Sequence, residues 1–219
     1  MPIAPFLVVM LAASSVPSGQ REWQRYRVIC ERLHLDKFAA LPERERDRID
    51  VRLKLAPDEG PKNPVTLTIL AAAGLIVLGS TGDGHTDFPV RQDLLAENPV
   101  VLTSVPEGIK TKVTIDLIPR LPSGLSFPYA DLFRAVEQAN RFIRGQAGLL
   151  GFAAPRMKGI VLHFADHGAQ TVRLSGNGVD QSHATDGHGD VTLLVEDSLL
   201  AQNPTVTLST LPVRADFRE

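Results

Sequence analysis

The sequence predicts a mainly β protein: two related small antiparallel β-sandwich-like units with one amphipathic helix between them. Three observations predict it. First, one pattern occurs twice. Asp83-Gly84-His85-Thr86-Asp87, then Leu94-Leu95-Ala96-Glu97-Asn98-Pro99 and the β-type run Val100-Val101-Leu102, returns as Asp186-Gly187-His188-Gly189-Asp190, Leu199-Leu200-Ala201-Gln202-Asn203-Pro204 and Thr205-Val206-Thr207-Leu208. Each copy closes on a proline, Pro106 and Pro212, and a pattern repeated in order marks a duplicated structural unit. Second, apolar and polar residues alternate with period two in many short runs, as they do in strands with one wet face. Third, 17 glycines and 16 prolines supply the turns that many short strands require.

In chain order, Met1–Gly19 is apolar and then small. It resembles the apolar core and cleavage zone of a secretory signal, although lysine and arginine are missing from its start. The chain is therefore expected to be exported, periplasmic or secreted, with a mature start near Gln20. Residues 20–47 are densely charged with both signs. Val28, Ile29, Leu33, Leu35, Phe38 and Leu41 give that segment enough apolar spacing for a strand or a short helix around 31–40, which Pro42 ends. Glu43-Arg44-Glu45-Arg46-Asp47-Arg48 alternates in sign and reads as a solvated connector.

A first β unit is expected over 48–118. Ile49, Val51, Leu53 and Leu55 alternate with charged residues. Val65, Leu67 and Ile69 run into a hairpin with Leu75-Ile76-Val77-Leu78. Phe88-Pro89-Val90, a helical turn at 92–97, Val100-Val101-Leu102 and the alternation of Val113, Ile115 and Leu117 complete it, at the strand density of a β-sandwich. Residues 119–157 read as a proline-rich linker followed by a helix over 129–145. Leu132, Phe133, Val136, Ala139, Phe142 and Ile143 form the helix's apolar face. A second β unit is expected over 158–219, with strands around Ile160–Phe164, Val172–Leu174, Val191–Val195, Val206–Leu208 and Val213–Phe217, and a helical turn at 197–202.

A net charge of −2 gives no electrostatic basis for nucleic-acid binding. Aromatics at 5% are too few for a base-stacking or sugar-binding shelf. No segment after the start is long and apolar enough for a transmembrane anchor. Cys30 is the sole cysteine, so no intrachain disulfide forms, and it reads as a small buried apolar residue. No nucleophile elbow or phosphate loop is present.

The residues best suited to chemistry are Asp166, His167, Asp180, His183, Asp186, His188 and Asp190, because carboxylates and imidazoles at this density can hold a divalent metal. Asp-Gly is also a common tight-turn pair, and the first copy has the turn without the extra histidines, so turn architecture is the preferred reading there. The sequence favours a binding or structural module with no cofactor over an enzyme. The alternative is a metal-dependent hydrolase, or a calcium-stabilised module, using the loop 166–190. A protein partner would meet the helix 129–145 or an unpaired sheet edge.

The Asp-Gly turn, the Phe88-Pro89 strand and the Leu94-Leu95-Ala96-Glu97-Asn98-Pro99 block together resemble uncharacterised exported bacterial proteins with prealbumin-like, carboxypeptidase-regulatory-like β-sandwich units. The resemblance spans 48–118 and, more loosely, 158–217. It implies the sandwich architecture and brings no catalytic residues. The chain departs from the pattern by extra residues between Gly84 and Phe88 and by the absence of a Phe-x-Leu-Pro entry in the second copy.

Overall fold

A computed structural model of the chain describes residues 18–58, 64–81, 84–147, 155–165 and 169–219. The expected signal lies almost wholly outside the described residues, as do Asp83, Asp166 and His167. The first half contains β1 (Arg21–Arg25), α1 (Tyr26–Arg32), α2 (Leu35–Ala40), a 3-10 turn at Glu43–Glu45, β2 (Ile49–Pro57), β3 (Thr66–Ala71), β4 (Gly74–Gly79), β5 (His85–Asp87), α3 (Gln92–Glu97), β6 (Val100–Thr103) and β7 (Thr111–Pro119). The second contains β8 (Ser126–Pro128), α4 (Tyr129–Ala147), β9 (Gly159–His163), β10 (Thr171–Gly176), β11 (Val179–Ala184), β12 (Asp190–Leu194), α5 (Asp197–Gln202), β13 (Thr205–Leu208) and β14 (Arg214–Arg218).

The molecule is mainly β, and its described strands all pair antiparallel. Each half has a four-stranded and a three-stranded sheet. Their orders match element for element: β1-β6-β3-β4 with β8-β13-β10-β11, and β5-β2-β7 with β12-β9-β14. The hydrogen bonds of β1 to β6 and of β8 to β13 extend each repeat on its N-terminal side. The charged segment therefore contributes a strand to the first unit. The expected linker contributes both β8 and the amphipathic helix α4 to the second.

The inward residues of β2, Val51, Leu53 and Leu55, are buried with Leu67 and Ile69 of β3, and Ile160 and Leu162 are buried with Val172 and Leu174 in the second unit. These side chains belong to one continuous apolar core. α4 contributes Leu132, Phe133, Val136, Ala139 and Phe142 to it, as its periodicity predicts. The helix also joins the two units. Phe142 meets Phe38 of α2 edge-on at 5.3 Å. Gln138 is only 4% exposed. It accepts from the Arg48 N–H at 2.9 Å and donates to the Arg44 carbonyl at 3.0 Å and to Asp47 at 2.7 Å, so its buried amide is satisfied on both sides.

The Leu-Leu-Ala-x-Asn-Pro block recurs because it performs two tasks. Asn98 takes a left-handed conformation (φ 54°) and its N–H bonds the Leu94 carbonyl, which ends α3 after six residues. Its side-chain oxygen then accepts the Arg27 N–H at 3.0 Å, while the Pro99 carbonyl accepts the Tyr26 N–H at 2.9 Å. Asn203 (φ 46°) ends α5 in the same way. It accepts the Ala130 N–H at 2.9 Å, and the Pro204 carbonyl accepts the Tyr129 N–H at 2.9 Å. One asparagine thus closes the short helix and satisfies one otherwise orphaned donor at the start of the other helix, and the proline carbonyl beside it satisfies a second. Asn203→Ala is expected to cost about 2 kcal/mol, combining a lost cap with a left-handed alanine. Urea unfolding should show a lower midpoint at unchanged slope, and Asn203→Gly should recover part of the loss. An alanine variant as stable as the parent would refute this role.

Matching hydrogen bonds fall 105 residues apart. The Ser80 and Thr185 hydroxyls accept the N–H groups of Val65 and Gln170 at 2.7 and 3.2 Å. The Ser104 and Ser209 hydroxyls accept those of Thr66 and Thr171, both at 2.9 Å. At this spacing Gly84 matches Gly189 and His85 matches Asp190, because the Leu55 and Phe164 N–H groups bond the Gly84 and Gly189 carbonyls at 2.9 and 3.0 Å. The two Asp-Gly-His-x-Asp stretches are therefore out of step by two residues in the fold.

Candidate binding cleft

The two units differ where β5 and β12 meet their neighbours. In the second unit the β9–β12 ladder runs from His163–Asp190 through to Gly159–Leu194. In the first, the β2–β5 ladder runs through Lys54–His85, Leu53–Thr86 and Arg52–Asp87 and stops. The residue matching Leu194 is Pro89, which has no N–H to offer a ladder. The residue matching Gly159 is Asp50. A Cβ at Gly159 would collide with the Leu193 carbonyl oxygen and sit 3.0 Å from the Leu194 Cα, so a strand approaches this closely only opposite glycine. Proline on one strand and a side chain on the other leave the edge of β2 uncovered beyond Asp87.

A cleft of about 570 Å³ lies there. Its apolar lining comes from Phe38 of α2, Ile49 and Val51 of β2, Ile76 and Leu78 of β4, and Phe88 after β5. Ile118 and Val90 lie on its walls. The rim carries Arg46, Arg52 and Arg120 against Glu43, Asp47, Asp50 and Asp87. Most of these charges are already paired. Arg52 binds Asp87 at 2.6 Å, Arg120 binds Asp50, and Asp47 receives Arg134 at 2.7 Å. The Asp50 carboxylate raises the pKa of Arg120 above the ordinary guanidinium value. Arg46 lies over the Phe38 ring at 5.8 Å and donates to the Leu41 carbonyl at 3.1 Å. A near-balanced rim over an apolar floor suits a largely apolar ligand better than a multiply charged one.

Of the residues singled out for metal binding, the five that are described, Asp180, His183, Asp186, His188 and Asp190, are spread over β11, β12 and the turn between them. Asp180 on β11 pairs with Arg173 at 3.0 Å, both side chains exposed. His183, on the same strand, has its Nε2 buried without a partner among the described residues. Asp186 caps the turn into β12. Its Oδ1 accepts the N–H groups of Asp190 and His188 at 3.0 and 2.8 Å, and these hold its carboxyl below the usual range. His188 is exposed at that turn. Asp190 lies 2.7 Å from Nδ1 of His163, whose Nε2 is 3.0 Å from Asp216. With both ring nitrogens against carboxylates, that imidazole has no lone pair turned to a metal. Among the described residues no group of three His, Cys, Asp or Glu side chains is arranged to hold a metal ion.

His163 and Asp216 were not singled out in the sequence, because they lie on separate strands. In the first unit the His85 Nε2 is 2.6 Å from Asp116 on β7. Asp116 and Asp216 hold matching ladder positions, opposite Arg52 and Val161. Each three-stranded sheet thus carries an imidazole–carboxylate pair on its outer face. Cys30 is buried, and burial pushes its thiol up to about 11, so it stays protonated near neutrality and is a poor nucleophile.

No described helix is long and apolar enough to cross a membrane. Comparison of the chain with protein-family models, with curated proteins and with solved structures finds no match in any of the three. The fold and the cleft define a duplicated β-sandwich-like protein with one open and one closed unit.

Proposed function

We propose that the protein is a non-catalytic binding module of the periplasm or the extracellular space, and that the first unit's cleft holds the apolar body of an amphipathic ligand. The observation that carries this reading is the asymmetry of the duplication. The second unit closes the matching ladder with Gly159 and Leu194, whereas the first has Asp50 and Pro89 there and leaves about 570 Å³ open. That volume lies in the range of small-molecule sites, and an apolar floor with a few polar rim groups is their usual lining. The paired rim charges favour orientation of a ligand over strong Coulombic attraction. The apolar start of the sequence, Met1–Gly19, supports the exported location.

The test is a fluorescence titration with anilinonaphthalene sulfonate, an apolar aromatic probe with one anionic group. Saturable binding at one probe per chain is expected. Ile118→Arg, at the cleft wall, should weaken it at least about tenfold, equivalent to about 1.4 kcal/mol. Leu194→Arg, at an exposed site on the closed unit, should leave it unchanged. Equal binding by the parent and Ile118→Arg would overturn the reading.

A further inference from the structure

The four-stranded sheets also differ at their outer edges. In the second unit the edge strand β11 presents Asp180, Gln181, Ser182 and His183. In the first, the edge strand β4 reads Gly74-Leu75-Ile76-Val77-Leu78-Gly79 without a polar side chain. Leu75 and Val77 are 43% and 62% exposed. The ladder spacing matches Leu75 with Asp180 and Val77 with Ser182. Polar residues on an edge block strand addition, and an apolar edge invites it.

The backbone fixes which strand can be added. β3 and β4 join through a two-residue turn, so Ala71–Gly74, Ile69–Ile76 and Leu67–Leu78 are the hydrogen-bonded pairs. The bond from the Ser80 N–H to the Val65 carbonyl continues the same alternation. The N–H and carbonyl groups of Leu75, Val77 and Gly79 therefore point away from the sheet. β5 engages the last of these, since the Thr86 hydroxyl donates to the Gly79 carbonyl at 3.2 Å. The backbone groups of Leu75 and Val77 remain without partners among the described residues.

We infer that β4 is a self-association edge, and that two copies of this chain pair β4 to β4 antiparallel with Leu75 of one opposite Val77 of the other. Directly opposed residues share a face of the sheet, and a two-fold axis normal to the sheet preserves faces. Opposed residue numbers must therefore have the same parity. With Ile76 on the axis, Leu75 and Val77 exchange both hydrogen bonds with their counterparts, and the backbone groups of both residues are satisfied. The next register, with Val77 on the axis, would set Leu75 against Gly79, an edge position that the Thr86 hydroxyl of β5 already occupies. In the Ile76-centred register the two exposed side chains of each copy cluster with those of the other on the outer face.

The strand reads almost identically in both directions, so an antiparallel copy sets apolar residues against apolar residues throughout. A net charge of −2 per chain and the lack of charge on β4 leave little repulsion between copies. One strand seam buries less than the roughly 1,000 Å² of a stable interface, so the dimer is a weak one. This inference is independent of the cleft reading.

Sedimentation velocity from about 5 to about 500 μM should show monomer passing to dimer at the upper end. Val77→Lys should remain monomeric throughout, and Ser182→Lys at the matching site of the second unit should dimerise like the parent. Ile76→Cys in an oxidising glutathione buffer should cross-link to itself, because residues opposed in a non-hydrogen-bonded pair have Cα atoms about 4.5 Å apart, within disulfide reach. Gln181→Cys should not cross-link. If Val77→Lys fails to fold by circular dichroism, the Ile76→Cys cross-link decides. A parent that stays monomeric at every concentration, a dimer that survives Val77→Lys, or an Ile76→Cys variant that forms no cross-link would each overturn the inference. So would a monomer whose β4 edge takes only an unrelated extended peptide.

Discussion

Gly159→Val is expected to destabilise the protein by at least about 3 kcal/mol, with urea unfolding of the parent and variant as the measurement. β9 is the central strand of its sheet, held by β12 on one side and β14 on the other. A Cβ at residue 159 meets the carbonyl oxygen of Leu193 and the Cα of Leu194, both backbone atoms of a paired strand. No rotamer change relieves that collision, so the strands must part. Parting them loses the Gly159–Leu194 rung and threatens the adjoining bond from the Val195 N–H to the Lys158 carbonyl at 2.8 Å. The matching position of the first unit gives the converse. Asp50→Gly removes an exposed ion pair with Arg120 and places glycine within a strand, and should cost about 1–2 kcal/mol, less than Gly159→Val. Combined with Pro89→Leu, it recreates the closed unit's residues at both positions and should abolish probe binding at the cleft. A Gly159→Val variant as stable as the parent would show that close approach of β12 is not what demands glycine.

The strands and the long helix were legible because their signal is local. Ile49, Val51, Leu53 and Leu55 alternate over one wet face, and β2 runs from Ile49 to Pro57. The apolar face predicted for 129–145 belongs to α4, Tyr129–Ala147. The Leu-Leu-Ala-x-Asn-Pro block marks matching places, since each copy ends a six-residue helix and leads into the strand beside the unit's first. The Asp-Gly-His-x-Asp likeness misled over register. The turn is set by the glycine with positive φ beside a neighbouring strand, Gly84, where a Cβ would lie 2.7 Å from the Leu55 carbonyl oxygen. Its counterpart is Gly189 rather than the Gly187 that follows aspartate. Letters in sequence do not reveal which glycine bears that constraint.

The start of each repeat was also illegible. Arg21-Glu22-Trp23-Gln24-Arg25 has no period-two pattern, and it becomes a strand only because β6 supplies a partner. The Asp- and His-rich loop reads as a cluster along the chain, yet Asp180 and Asp190 fall in different sheets. The cleft rests on two single-residue differences between distant copies, Asp50 against Gly159 and Pro89 against Leu194. Each has meaning only once the two strands are known to face each other.

Tyr129→Phe is expected to cost about 2–3 kcal/mol although it removes a single oxygen. Tyr129 is 1% exposed. Its hydroxyl donates to the Leu194 carbonyl at 2.8 Å and accepts the Glu196 N–H at 3.2 Å, so phenylalanine deprives two backbone groups of their partner. Tyr26 does the same in the first unit, donating to the Pro89 carbonyl and accepting the Arg91 N–H at 3.2 Å. The two tyrosines serve separate units, so the losses of Tyr26→Phe and Tyr129→Phe should add. Burial also pushes the Tyr129 phenol up to about 12 and raises that of Tyr26 further. An unfolded tyrosine ionises near 10, so between that pH and the folded value the native state binds more protons than the unfolded chain. Stability contributed by these phenols is therefore complete below about pH 10 and falls as pH rises toward the folded values. Urea midpoints compared at about pH 9 and about pH 11 should drop in the parent and drop less in Tyr129→Phe. An identical drop in both would mean that the hydroxyl binding Leu194 and Glu196 is not the group that couples alkaline pH to unfolding.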